Sequence, residues 1–120
     1  MGKSPGFMLY AADFYMDTIT WDCDDIGVYF RLLMAEWVNG PLDPDIQKLA
    51  KNAGKTSQKF IKNWSKISQK FSIDETGKLI NLRLEETRYR QELYRRNQSE
   101  FGMKGANRRH GRVKNQSENC

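Results

Sequence analysis

The stretch from Lys55 to Leu84 constrains this chain more than any other. Indexed at about 100° per residue, Phe60, Ile61, Trp64, Ile67 and Phe71 fall on one side of a helix. Lys55, Lys59, Lys62, Lys66 and Lys70 share an arc of roughly 80° on the other. No acidic residue occurs between Gln47 and Ser72. Phe71-Ser72-Ile73 and Lys78-Leu79-Ile80-Asn81 then flank Asp74-Glu75-Thr76-Gly77, which predicts two short strands and a turn whose glycine takes φ > 0. A helix with one apolar and one cationic face, followed by a β-wing, is what a winged helix needs to hold a duplex.

The preceding residues fit that frame. Asp43-Pro44 predicts a helix start, with Asp43 as cap and Pro44 at the first position. Ile46, Leu49, Ala50 and Ala53 form its apolar stripe and Gly54 closes it. Thr56 and Ser57 both suit the cap of the next helix. A short helix, a glycine-containing turn and a second helix make a helix-turn-helix, whose second helix enters the major groove. Further upstream, Asp22 with Asp25 three residues on predicts another helix start near the positive end of the helix dipole. Ile26, Tyr29, Phe30, Leu33 and Trp37 give that helix one apolar face, and Asn39-Gly40-Pro41 stops it. It is expected to be the central buried helix.

Residues 4–21 carry Phe7, Tyr10, Phe14, Tyr15 and Trp21 at a spacing that suits neither a clean helix nor a clean strand. Such a segment wraps a domain and plugs its core; base stacking is the functional alternative. After the hairpin, Arg83 to Phe101 is helical by composition, with Glu86–Arg90 and Glu92–Arg96 as i,i+4 pairs. Its apolar repeat of Leu84, Tyr89 and Leu93 is too sparse for a buried helix, so it stands clear of the domain or meets a partner. From Gly102 onward the chain is small, polar and cationic, which predicts disorder when free. The expected organisation is a winged-helix domain over 1–84 with an N-terminal aromatic arm, a helix over 85–101 and a basic tail over 102–120. The fold class is mainly α with a small β-hairpin (α+β).

Residues 1–82 hold ten Lys/Arg against ten Asp/Glu, and residues 83–120 hold ten against five, so the whole net charge of +5 sits at the C-terminal end. A basic tail on a neutral body suits a polyanion, nucleic acid being the commonest. Enzyme chemistry finds no constellation: His110 is the sole histidine, so Ser-His-Asp, Cys-His and zinc sets lack parts. Asp22, Asp24 and Asp25 sit where a helix start wants negative charge, and capping is preferred to a cation site. Gly102-x-x-Gly105 lacks the strand and the Lys-Ser/Thr of a nucleotide loop. No cofactor, metal or small-molecule substrate is expected. Cys23 and Cys120 give neither metal spacing nor a disulfide framework, which favours a reducing, cytoplasmic setting. The longest apolar run, Phe7 to Ala12, is six residues, far short of a bilayer crossing, so no membrane span is expected.

What remains is binding to double-stranded DNA. Lys55, Lys59, Lys62, Lys66 and Lys70 would meet phosphates as point charges, with Lys78 at the hairpin and Arg108, Arg109 and Arg112 in the tail adding to them. Gln58, Asn63 and Gln69 lie beside the lysine face, where Gln58 and Asn63 would read base edges. A lysine stripe also serves simply to solvate an outer face; the capped helix before it and the hairpin after it favour DNA. Two other readings stand beside this one. The first is a protein adaptor or homodimer using the helix from Arg83 to Phe101. The second is a single-strand or RNA binder using exposed rings and the tail.

The order of motifs also resembles the YdaU-like prophage proteins, which are related to the N-terminal domain of phage replisome organisers. The resemblance is carried by Pro5, Phe7, Tyr10, Asp13-Phe14 and Asp17, then Gly27-x-Tyr29-x-Arg31-Leu32-Leu33, Trp37 and Gly40. Leu49-Ala50, Phe60, Trp64, Phe71, Gly77, Asn81-x-Arg83-Leu84-Glu85 and Ser99-Glu100-x-Gly102-x-Lys104-Gly105-Ala106 complete it, over roughly residues 4–105. It implies a winged-helix DNA-binding protein of phage or prophage replication, acting in the bacterial cytoplasm at an origin or in replisome assembly. Ala11-Ala12 departs from the pattern where a proline is common. Relatives with a replication role continue into a second domain that engages the helicase loader, whereas this sequence stops at Cys120. DNA binding without that recruitment is the expectation.

Overall fold

The structure, a computed structural model, describes residues 5–109, with side chains as far as Gln98. Five α-helices and a two-stranded antiparallel sheet lie within those residues, a mainly α, α+β architecture.

Residues 5–21 form an arm that contains a short helix, α1 (Ala11–Asp17), which the aromatic spacing did not predict. The arm plugs the core as expected, but through three of its five rings. Phe7 lies 5.2 Å from Trp37, Phe14 stacks on Tyr29 at 5.6 Å, and Trp21 meets Tyr29 edge-on at 5.5 Å. Tyr10 and Tyr15 remain exposed.

Helix α2 (Cys23–Asn39) is the central element. The Asp22 carboxylate accepts a 2.9 Å bond from the Asp25 N–H, and Gly40 ends the helix at φ +90°. Its buried stripe comprises Val28, Tyr29, Leu32, Leu33 and Trp37, wider than the predicted face, while Ile26 and Phe30 are half-buried. The stripe widens because the arm covers α2 on one side and the next two helices pack against it on another.

Helix α3 (Ile46–Ala53) starts later than expected. Its cap is Asp45, which accepts from the Lys48 N–H, and Asp43 instead accepts from the Asp45 N–H and pairs with the Lys48 ammonium. Pro44 therefore precedes the helix. Leu49, Ala50 and Ala53 are buried, and Gly54 closes the helix in the left-handed region at φ +76°. Thr56 then caps α4 (Ser57–Ile67) by accepting from the Lys59 N–H. The inward face of α4 is Phe60, Asn63 and Ile67, with Trp64 half-buried. Ile61, expected among the core residues, is 54% exposed. A 3-10 turn over Ser68–Lys70 follows, so Lys70 and Phe71 leave the helix and its angular indexing no longer applies to them.

Strands β1 (Ser72–Ile73) and β2 (Leu79–Ile80) pair with Ser72 opposite Ile80 and Ile73 opposite Leu79. Their turn is built on Asp74, whose carboxylate accepts from the Thr76 and Lys78 N–H groups, with Gly77 at φ +86°. Leu42, between α2 and α3, adds a third rung by exchanging both backbone hydrogen bonds with Leu79 at 2.8 and 2.9 Å.

Asn81 caps the last helix, α5 (Leu82–Arg109), by accepting from the Leu84 N–H. This buried side chain also donates to the Tyr29 hydroxyl and the Lys70 carbonyl, tying the 3-10 turn, α2 and α5 together. Its N–H donates to the Glu36 carboxyl, which is fully buried in α2. Burial, reinforced by hydrogen bonding with Glu85, pushes Glu36 up to about 9, so it is protonated at neutral pH. Glu85 Oε2, buried without another donor, is the acceptor that this proton requires. Arg88 pairs with Glu85, donates to the Glu36 and Trp37 carbonyls at the end of α2, and lies 4.5 Å over the Trp37 ring. A cation on the last carbonyls of a helix stabilises the negative end of its dipole. Helix α5 runs through Gly102 to Arg109, which corrects the expected end at Phe101 and the expected tail from 102.

Candidate nucleic-acid interface

The expected lysine face divides once each residue is placed. Thr56 and Gly54 set the register of α4, and the burial of Phe60 and Ile67 sets its rotation. In that rotation the side bearing Lys59, Asn63 and Lys66 leans on the N-terminus of α2, and the solvent pole carries Gln58, Ile61, Lys62 and Ser65. Gln69 is also exposed, on the following turn.

Asn63 is the clearest correction. It is buried at 4% exposure, and its Nδ2 donates to Asp24 Oδ2 at 2.9 Å and Asp25 Oδ1 at 2.7 Å. An amide held by two carboxylates inside the fold cannot read a base edge. Lys55 precedes the helix and pairs with Asp24 at 2.6 Å, with 22% of its side chain exposed. Lys66 pairs with Asp25 at 2.9 Å, although half its side chain still faces solvent. Lys70 sits 5.8 Å from the Trp21 ring on the 3-10 turn. These three lysines are occupied within the chain, contrary to the uniform outward stripe.

The electrostatics of this seam follow from geometry. Hydrogen bonds from Lys55 and then Asn63 hold the Asp24 carboxyl below the usual carboxylate range. For Asp25, burial acts against ionisation, but the bonds from Asn63 and Lys66 outweigh it and its pKa is lowered. The same contact raises Lys66. Both carboxylates also lie in the first turn of α2, where the dipole favours negative charge. The dipole role of these acids is legible in the sequence, and their partners are not. The available signal was an acid-rich helix start in the same chain as an acid-free, lysine-rich helix.

Lys59, Lys62 and Lys78 have no ion-pair partner among the described residues, and Gln58 is exposed beside the first two. Lys59 lies near enough to Asp24 to help lower that carboxyl. Lys78, in the hairpin, acts likewise on Asp43, though the Asp45 N–H and Lys48 do more there. Arg108 and Arg109 end α5 beyond the described side chains, and Arg112 lies outside the described residues. Among the described residues no group of three or more His, Cys, Asp or Glu is placed to hold a metal ion. No helix among them is long and apolar enough to cross a membrane. No protein-family model, curated protein or solved structure matches the chain.

Proposed function

We propose that the protein is a winged-helix binder of duplex DNA in which α4 is the reading helix. The observation that carries this reading is the succession of α2, the Leu42 rung, α3, a tight glycine turn, α4, and a hairpin paired to that rung. This is the order in which a winged helix-turn-helix sets its reading helix beside its wing. Lys59 and Lys62 then serve as phosphate contacts and Gln58 as the base-edge contact, with Lys78 contributing from the wing. Asp24 and Asp25 position α4 by anchoring Lys55, Asn63 and Lys66. The resemblance to YdaU-like prophage proteins supports a role for this activity in phage or prophage replication, at an origin or during replisome assembly in the bacterial cytoplasm.

The test is a titration of labelled duplex with wild-type protein and with the Lys59→Glu/Lys62→Glu variant. Both side chains are exposed, so the variant keeps its melting temperature, and it is expected to lose duplex affinity by at least tenfold. A single strand of the same length separates duplex reading from single-strand binding. If the variant binds duplex as the wild type does, α4 is not the reading helix.

A further inference from the structure

The outward face of α5 repeats at the 4-3-4-3 spacing of a two-helix seam: Leu82, Glu86, Tyr89, Leu93, Arg96. None of these residues packs into the body. Leu82 and Tyr89 are 63% and 65% exposed, Leu93 is 36% exposed, and Glu86 and Arg96 face solvent. The body is met instead by Leu84 and Arg88, on the opposite side of the helix. Two tyrosine- and leucine-sized side chains at seam spacing on an exposed helix leave apolar area that a partner helix can cover.

The order of side chains along the seam selects that partner. Set against a second copy running antiparallel and centred on Gln91, Tyr89 meets Leu93, Leu93 meets Tyr89, Glu86 meets Arg96, and Arg96 meets Glu86. Two apolar layers are thus closed at each end by a pair of opposite charges. A parallel pairing instead sets Glu86 on Glu86 and Arg96 on Arg96. Glu86 already holds Arg90 at 3.1 Å through Oε2, leaving Oε1 for a second cation. Arg96 has no ion-pair partner among the described residues, and the i,i+4 bond to Glu92 expected from sequence is not formed there. From this palindromic order we infer that the α5 seam is a self-association surface whose occupant is the α5 of a second copy, antiparallel. The surface is independent of the α4 face, so this inference stands or falls apart from the DNA reading.

Sedimentation of the full chain across a dilution series, without DNA, tests it. The wild type is expected to pass from monomer to dimer, and Tyr89→Ala/Leu93→Ala to stay monomeric at every concentration. Glu86→Arg and Arg96→Glu should each weaken association by tenfold or more. Combining them in one chain should restore it, because each layer again joins opposite charges. Circular dichroism of each variant checks that the exposed changes leave the fold intact. A wild type that stays monomeric throughout, association indifferent to all four substitutions, or a double charge reversal that fails to restore it would each overturn the inference.

Discussion

Asn63 and Glu36 show how single buried polar groups define this molecule. Asn63 neutralises no charge, yet its amide bridges the adjacent Asp24 and Asp25 carboxylates at the start of α2. Replacing Asn63 by Ala removes two hydrogen bonds to charged groups, worth about 1.5–3 kcal/mol each at most. A fall of that order in unfolding free energy is expected by urea denaturation, with duplex affinity unchanged once corrected for the folded fraction. Glu36 gives the fold a pH signature. A carboxyl whose folded pKa lies above its unfolded value binds more protons when folded, so stability falls with pH between 4.5 and about 9. Asp24 and Asp25 work in the opposite sense: their lowered values add stability above about pH 4 that is lost in acid. Glu36→Gln keeps an acceptor for Asn81 and a donor for Glu85. Thermal melts are expected to show a wild type that loses roughly 5 °C or more between pH 5 and 8, and a Gln variant that does not.

At the scale of elements, α4 is fixed by the turn before it more than by its own sequence. Gly54 occupies a left-handed conformation, and a Cβ there would rest against the Arg31 guanidinium at 3.4 Å. Gly54→Ala is expected to cost about 1 kcal/mol from backbone strain, and Thr56→Ala about 1 kcal/mol from the lost cap. Chemical denaturation checks both, and Thr56→Ser should recover most of the second loss. These signals were legible in the sequence, because glycine and a hydroxyl at those positions act on their own backbone. So were both ends of α2 and the hairpin around Gly77. The rotation of α4 was not legible: Ile61 is as apolar as Ile67, yet the burial of Phe60 and Ile67 together with the seam to Asp24 and Asp25 leaves Ile61 outside and draws Asn63 in. Helical periodicity counts side chains by polarity, and an amide satisfied by distant acids breaks that count. The packing of the arm is legible in the sequence but its helix is not, since α1 has no side-chain cap and buries no residue fully.

For the whole molecule, charge placement decides what α4 can hold. Ten cations and ten anions balance over residues 1–82, and the ion pairs of Asp24 with Lys55 and of Asp25 with Lys66 use up part of what looked like a continuous basic face. On the proposed reading, a polyanion therefore meets fewer contacts than the lysine count implies: of the expected ones, Lys59, Lys62 and Lys78 have neither an ion pair nor a ring partner among the described residues. Self-association through α5 would double that number on one duplex.

The most direct measurement is the salt dependence of duplex binding, compared between the wild type and Lys59→Gln/Lys62→Gln. Each phosphate contact contributes about −0.9 to the slope of log affinity against log salt. The account predicts that the double variant loses about 1.8 from the magnitude of that slope, along with affinity at low salt. An unchanged slope, or duplex binding with no dependence on salt in the wild type, would contradict it.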